Sequence, residues 1–562
     1  MNKAKLSTAR ELHAQGNFKA ALDAYEGLLV ENPGNAELLH LIGILHAQLN
    51  QTDLALTYIN QAIEAEPNAA FYNSQGNVFR RLNRLESAIK SYQKAIELKP
   101  DYTGAYNNLG LMHYQQKDFT LAKDAYSKAL ELSPNFVNAL LNSAILCAHL
   151  GELEESREKL ERAFELDAHN PKILGQLAQV YLSLNEPKKA LIFFDEKLKT
   201  MPEDANTYYD IGLCLLKIEE YSDAIKSLEM ALALQSPADD LYHHLATAYL
   251  YENDVEKALN YYFRQLEIKP LMESYYNIGV LLMNKNRSKE AITYLEHAAS
   301  LDSAYFPVHV NLGALYLKHQ HLAKAIEHYQ IALSLHPEDA EISHILSALQ
   351  KDKTPDAAPK EYLQRLFDQY ATFYEKHLTQ HLKYQVPEKI YAQIFEEIGI
   401  ETPSLQILDL GCGTGLCGSL FRKMAKKLIG IDISEKMLTK ADEKKIYDEL
   451  AALDVNVALE TYQHNDIILA ADVFTYIGNL STIFEKAHEA LNENGLFAFS
   501  VEKTSVEAFE LQHSIRYAHS KNYLNNLIKK NNFNILRFEN LILRQQRNKA
   551  VEGYLLLLKK QS

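Results

Sequence analysis

The stretch Ile407–Leu416, ILDLGCGTGL, decides the character of the last third of the chain. An apolar run carries Asp409 near its end. Gly411, Gly413 and Gly415 then punctuate a short turn before apolar residues resume at helical spacing. Such a run with an abrupt glycine turn reads as a buried strand leading into a helix. Glycine at alternate positions supplies backbone conformations that side chains obstruct, and it lets a ligand approach the main chain. Further apolar runs, KLIGID (427–432), NDIILAADVF (465–474), GLFAFSVE (495–502) and GYLLLLK (553–559), alternate with helix-like patterns. That alternation predicts an α/β, Rossmann-like domain with a mainly parallel sheet over residues 361–562.

The charges around the turn narrow its ligand. A dinucleotide turn spaces its glycines Gly-x-Gly-x-x-Gly and sets a pyrophosphate against the helix N-terminus. Here the spacing is Gly-x-Gly-x-Gly, and Asp409 stands two residues ahead of Gly411, where it would repel a diphosphate. A carboxylate there suits a ligand bearing an ammonium and a sulfonium, which is S-adenosylmethionine. Asp432 ends the next apolar run, 23 residues after Asp409, and can accept from both ribose hydroxyls. Ile433 and Met437 follow as candidate adenine contacts, and Asp454, after YDELAAL (447–453), is placed to accept from the adenine amino group. Taken alone, the turn also permits another nucleotide-binding α/β protein.

From about Tyr362 to Lys560 the chain resembles the class I S-adenosylmethionine-dependent methyltransferases. The resemblance implies that FDQYATFYEKHL (367–378) is the family's N-terminal helix, with Tyr370 and Tyr374 closing over the cofactor. It also implies that AADVFTY (470–476) follows the fourth strand, with Ala471 and Asp472 beside the cofactor, and that NFNILRFE and GYLLLLKK form a terminal antiparallel pair. RYAHS (516–520) resembles bacterial methyltransferases that also carry tetratricopeptide repeats. Methyl transfer is an in-line displacement with a neutral leaving group, so the protein mainly aligns acceptor, methyl and sulfur. A base is needed only when the acceptor must lose a proton early. Arg516 is the candidate to bind an acceptor carboxylate or phosphate through paired hydrogen bonds, and His519 and Tyr517 are the catalytic candidates. The competing reading of RYAHS is the lead-in to a helix, with Ser520 as its cap.

The first 350 residues repeat. Small residues recur at Ala21, Ala55, Ala88, Ala122, Ser156, Ala190, Ala224, Ala258, Ala291 and Ala325, at steps of 33 or 34. Twelve residues earlier stands Gly43, Gly76, Gly110, Gly212, Gly279 or Gly313, and twelve later stands Pro33, Pro67, Pro100, Pro134, Pro202, Pro270 or Pro337. Two helices per unit explain the spacing: small residues let them approach, and proline stops the second. The pattern resembles the tetratricopeptide repeat, although the chain contains no Trp at all. The resemblance implies an all-α superhelical solenoid over 1–350, closed by an amphipathic capping helix, whose concave groove takes a protein or peptide partner. Asn108, Asn142, Asn277 and Asn311 occupy the position that faces this groove and form a candidate peptide-backbone ladder. Leu41, Gln176, Asp210 and His244 interrupt that ladder, and ordinary solvated or capping asparagines are the alternative. KDKTPDAAPKE, starting at Lys351, reads as a linker over 351–360.

Composition excludes several classes. The 562 residues carry 58 basic and 73 acidic side chains, a net charge of −15, which argues against a polyanion partner such as nucleic acid. No aromatic–proline motif of the amino-methylating DNA enzymes follows the fourth strand, where Ala471–Phe474 stands. Four cysteines without metal-ligand spacing suggest reduced thiols and no metal site. No apolar leader and no run of 18 apolar residues occurs, so the expectation is a cytoplasmic protein without a membrane span. The expected function is methyl transfer to an acceptor that the sequence does not identify, with the array recruiting a partner or the substrate. The alternative is a repeat scaffold whose methyltransferase-like domain binds cofactor but is catalytically idle. A glycosyltransferase would need two nucleotide-sugar domains, and about 200 residues cannot hold them. The array's length leaves the oligomeric state open.

Overall fold

A computed structural model of the chain describes residues 3–351, 354–399, 403–546 and 549–561. They form two compact units, Met1–Ser274 and Tyr275–Ser562. The repeat spacing becomes ten helix pairs among the described residues, from Lys3–Ala14 with Phe18–Glu31 to Phe306–Lys318 with Leu322–Leu335. The boundary between the units falls in the first turn of Met272–Asn284.

The pairs close by a few recurring devices, and six of the ten carry the glycine landmark. The glycine landmark leaves room for a large side chain four residues past the small-residue landmark. A Cβ on Gly110 would come within 2.7 Å of the Tyr126 ring, and one on Gly76 within 2.5 Å of Tyr92. Tyr126, Tyr92 and Ala122 are buried at this contact. Each landmark proline lies two residues beyond the end of a second helix, as Pro134 does after Leu132. A further device has no single residue type behind it. Gly16, Asn50, Asn83, Lys117, Gly151, Asn185, Glu219, Asn253, Asn286 and Gln320 all take φ between +54° and +81° in the turn joining the two helices. The left-handed residue lets the chain reverse after the first helix and satisfies its last carbonyls.

In the second unit the last repeat is followed by helix α1 (Ala340–Gln350), the expected cap, and then by α2 (Lys360–Tyr370) and α3 (Val386–Ile398). Next come β1 (Leu405–Leu410), α4 (Leu416–Phe421), β2 (Ala425–Asp432), α5 (Glu435–Glu443), β3 (Glu449–Ala452), α6 (Val455–Thr461) and β4 (Asn465–Ala470). The chain ends with α7 (Ser481–Ala490), β5 (Leu491–Lys503), β6 (Phe509–Leu511), β7 (Tyr517–His519), α8 (Lys521–Lys530), β8 (Phe533–Gln546) and β9 (Lys549–Lys560). β1 to β5 are parallel in the order β3-β2-β1-β4-β5, and β9 joins β5 antiparallel with β8 beyond it. β5 outruns β4, and β7 pairs with its extension at Glu502 and Lys503. Successive residues of β1 bury opposite ways. Leu408 joins a core with Leu459, Phe484 and Leu524, whereas Ile407 joins one with Ile390, Ile394 and Phe421. Burial on both faces is why the strand reads as an unbroken apolar run rather than an alternating one.

The connection over 351–360 departs from a loose linker. Asp352 and Lys353 lie outside the described residues, but the rest of it is pinned. The Asp356 carbonyl accepts from the N–H of Gly478 (2.7 Å) and of Asn479 (2.9 Å), and the Ala358 N–H donates to the Tyr476 carbonyl (3.0 Å). The cap α1 also packs on the sheet domain. Ala348 sits with Leu511 and Tyr517, and Glu341 pairs with Arg365 of α2. A stretch whose backbone groups find partners across the fold is ordered whatever its composition.

Left-handed φ at a residue with a Cβ costs about 1 kcal/mol that glycine avoids. Glu219→Gly, at an exposed turn, is therefore expected to raise stability by about 1 kcal/mol, and Asn253→Val to lower it by about as much. Urea denaturation followed by circular dichroism checks both signs.

Candidate functional site

The site is built where the parallel strands end. β1 finishes at Leu410, and Gly411, Gly413 and Gly415 take φ of +62°, +54° and +88°. All three need the left-handed region, so the alternate-glycine spacing follows from the backbone path itself. The Cys412 N–H donates to the Ile431 carbonyl (2.8 Å). Asp432, at the end of β2, accepts from the Gly413 N–H (2.9 Å) and the Ser434 N–H (2.9 Å). Its carboxylate thus ties the turn to the neighbouring strand and occupies an N–H that a pyrophosphate would otherwise use.

A cavity opens over this turn. Gly411, Gly413, Asp432, Ile433, Met437, Asp454, Ala471 and Asp472 all line it, and so does Tyr374, so nine of the expected cofactor residues come together. Asp454 caps α6 by accepting from the Asn456 N–H (2.8 Å). Beside it the buried Oδ1 of Asn456 has no hydrogen-bond partner. Leu453 and Val455 add apolar wall, and Ala357, Ala358 and Lys360 of the former linker close one side.

A second cavity of about 350 Å³ lies against the first, with Phe367, Tyr374 and Tyr476 lining both. Tyr370, Tyr362, His377, Arg516 and Arg544 line only the second. Behind the arginines stands a charge cluster. Arg544, 1 % exposed, donates from Nη1 to Asp472 Oδ1 (3.0 Å) and from Nη2 to Glu502. Arg516 Nη1 lies 3.5 Å from Asp472 Oδ2 and 3.9 Å from Glu502 Oε1, and its guanidinium sits over the Tyr476 ring. Asp472 is itself held in the left-handed region, φ +61°, with its N–H bonded to Ser500 Oγ (2.9 Å).

Several sequence candidates are placed elsewhere. Asp409 is buried beneath the turn and faces away from the cavity, accepting from the Tyr447 hydroxyl (2.7 Å). Gly415 makes room for that tyrosine ring, whose Cε2 stands 3.1 Å from where a Cβ would lie. His519, expected as a base, is a core residue of β7. It contacts the Gly478 carbonyl through Nε2 (2.9 Å), and burial pushes its pKa down to about 4. Tyr517 is fully buried against Ala348 and Leu511. Neither lines either cavity, because β-strand alternation and the pairing with β6 turn both side chains into the packed interior. Ser520 caps α8 by accepting from the Tyr523 N–H (3.1 Å), as the competing reading of RYAHS had it.

Tyr447, Arg544, Glu502 and Tyr476 were not anticipated. Arg544 and Glu502 carried a signal, since each is a charge that follows an unbroken stretch without charges in its strand, LILR and LFAFSVE. Buried charges require partners, and these are each other's. The array residues divide between the units. Asn108 and Asn142 line a groove of the first, where Asn108 Nδ2 donates to Asn73 Oδ1 (3.0 Å) and Asn142 Nδ2 to Asn107 Oδ1 (2.9 Å). Asn277 and Asn311 belong to the second, and Asn311 Nδ2 reaches the Tyr276 hydroxyl at 3.5 Å. Among the described residues one group has metal-ligand proximity, Cys147, Glu152 and Glu155, and Lys123 and Lys159 already engage its carboxylates.

Burial raises the Asp409 pKa to about 7, with the Tyr447 hydrogen bond opposing and Asp432 adding to the rise. A carboxyl raised on folding keeps a proton, between about pH 4 and 7, that the unfolded chain has released. Its contribution to stability therefore falls as pH climbs through that window. Asp409→Asn removes this term, so the variant should gain stability relative to wild type between pH 4 and 8. Urea midpoints across that range test the sign, and a pH-independent difference would refute the buried proton.

Comparison with known proteins agrees with this architecture. Residues 401–546 match the methyltransferase-domain family. Residues 12–77, 104–136, 241–273, 273–305 and 306–339 match tetratricopeptide-repeat families, 76–117 matches a TPR repeat family, and 158–231 match the family of anaphase-promoting complex, cyclosome, subunit 3. An uncharacterized protein of Haemophilus influenzae is 37 % identical over 107 residues, 17 % of this chain and 42 % of that protein. The photosystem I assembly protein Ycf3 of Acaryochloris marina is 31 % identical over 124 residues, 21 % of this chain and 72 % of that protein. A ubiquinone biosynthesis O-methyltransferase of Azorhizobium caulinodans is 26 % identical over 114 residues, 19 % of this chain and 44 % of that protein. The chain thus spans less than half the length of the first and third of these relatives. Among the described residues no helix is long and apolar enough to cross a membrane. With repeats over its first part and the glycine-turn sheet domain after them, the chain belongs to the tetratricopeptide-repeat proteins and carries a methyltransferase domain.

Proposed function

We propose that residues 361–562 transfer a methyl group from S-adenosylmethionine to an acceptor in the second cavity, and that the array, residues 1–350, recruits a protein partner in the cytoplasm. The observation that carries this reading is the chemistry of the first cavity. At one end an apolar slot of Ile433, Met437, Leu453 and Val455 meets Asp454 and the unpartnered Oδ1 of Asn456. Two acceptor oxygens beside a flat apolar slot match a purine with an exocyclic amine. Asp432 stands between this slot and the bare glycine turn, where a ribose diol would find an acceptor. Asp472 also lines this cavity, with its charge already paired to Arg544.

When bound, the sulfonium supplies a methyl carbon already activated for displacement. The chain's own contribution is position. Asp432 and Asp454 hold the nucleoside end. Phe367, Tyr374 and Tyr476 line both cavities and would hold acceptor against donor. Arg544 spends its charge on Asp472 and Glu502, keeping the floor of both cavities rigid. For a hydroxyl acceptor the imidazole on the acceptor side is His377, at the start of the π-helical turn His377–His381, in place of His519.

Calorimetric titration of the full chain with S-adenosylmethionine and S-adenosylhomocysteine tests the reading. Asp432→Asn should weaken both at least ten-fold, about 1.4 kcal/mol, with the far-UV spectrum unchanged. Absence of heat and of any melting shift with either compound would sink the proposal. Binding without radiolabelled methyl transfer into cell extract would favour the idle scaffold.

A further inference from the structure

The acceptor cavity has a one-sided polar inventory. Two guanidinium groups line it, Arg516 and Arg544, and no Asp or Glu does among the described residues. The two carboxylates that balance them, Asp472 and Glu502, lie behind, 11 % and 5 % exposed at their side chains. Arg544 takes both in hydrogen bonds, one through each terminal nitrogen. Arg516 is left at ion-pair distances of 3.5 and 3.9 Å through a buried Nη1 that has no hydrogen-bond partner, so a ligand would use Nε and Nη2. A guanidinium carries five N–H donors, and one that is only 22 % exposed has little water to satisfy them. The guanidinium carbon lies over the Tyr476 ring, 5.4 Å from its centroid. The remaining wall is aromatic: Phe367, Tyr370 and Tyr374 stand on the cavity with Tyr476. About 350 Å³ suits a small molecule and is far too little for a folded protein surface.

We infer that the acceptor is a small organic acid with a flat apolar body, its carboxylate seated on the open donors of Arg516 and its body between the aromatic rings. The inference rests on the methyl-transfer reading and names the substrate class of that same site. A planar carboxylate matches the fork in two parallel hydrogen bonds, whereas a cation would face two guanidinium groups with no carboxylate on the cavity wall among the described residues.

Matched ligands of equal shape and different charge test it. The full chain, with and without saturating S-adenosylhomocysteine, is titrated with benzoate against benzamide and with cinnamate against cinnamamide, using benzylamine as the cationic control. Each acid is expected to bind at least ten-fold more tightly than its amide, and benzylamine more weakly than either. Arg516→Lys keeps the charge and loses the fork, and should reduce acid affinity about ten-fold while leaving the amides within two-fold; Arg516→Met should erase the preference. Equal binding of acid and amide in both pairs, or an unchanged preference in Arg516→Lys, overturns the inference. Displacement of benzoate by equimolar inorganic phosphate also overturns it, in favour of an unspecific anion site. If a variant loses the wild-type far-UV spectrum, the acid–amide contrast in the wild-type chain decides. Failure of the donor reading is distinguishable, because it removes the response to S-adenosylhomocysteine and leaves the acid preference in place.

Discussion

The Asp432 carboxylate accepts one N–H from the glycine turn and one from the residue that opens the next helix, at 2.9 Å each. Two strand ends that would otherwise be joined only by their sheet ladder are thereby locked at one height. The turn then keeps its three left-handed glycines, and α5 starts where Ser434 can cap it through the Met437 N–H (3.1 Å). Burial raises the Asp432 pKa to about 6, against the pull of these same backbone donors. The site is thus held together by a group whose charge the protein itself disfavours, and a cationic ligand would relieve that cost.

A similar tension organises the acceptor side. Arg544, Arg516, Asp472 and Glu502 form a nearly buried network in which the number of charges balances but the number of hydrogen bonds does not. Partly satisfied buried networks are costly and persist where a ligand or a fixed geometry compensates. The network also links elements distant in sequence: β4's end, β5, the segment before β7 and β8 of the terminal hairpin. α2, which lines both cavities, is backed by the cap helix through Glu341 and Arg365, so in this unit the end of the array and the domain share one packed interior.

The repeat array was legible because its constraints are local. A small residue in every unit, with a glycine in six and a proline in seven at fixed offsets, reports two helices that approach and stop. The left-handed joint was invisible since Lys117, Glu219 and Gln320 occupy it beside asparagines and glycines. The lining of the first cavity was legible for the same reason. Gly411, Gly413, Asp432 and Asp454 stand at strand ends, and strand ends are marked by where apolar runs stop. His519 and Tyr517 misled because they are short-range neighbours of Arg516 in sequence, while strand alternation sends them into the interior.

From the sequence alone came the helix pairs, the strand order's parallel core, the glycine turn and the acidic strand ends, all set by periodicity and by conformations that few residues can adopt. Tertiary structure alone decided that Asp409 faces Tyr447 rather than the cavity, that Ala357, Ala358 and Lys360 join a cavity wall, and that Arg544 hydrogen-bonds Asp472 and Glu502 while Arg516 stands at ion-pair distance from them. The reason is that those outcomes depend on which side chain reaches a partner first across the fold, and such competition between distant groups leaves no pattern along the chain.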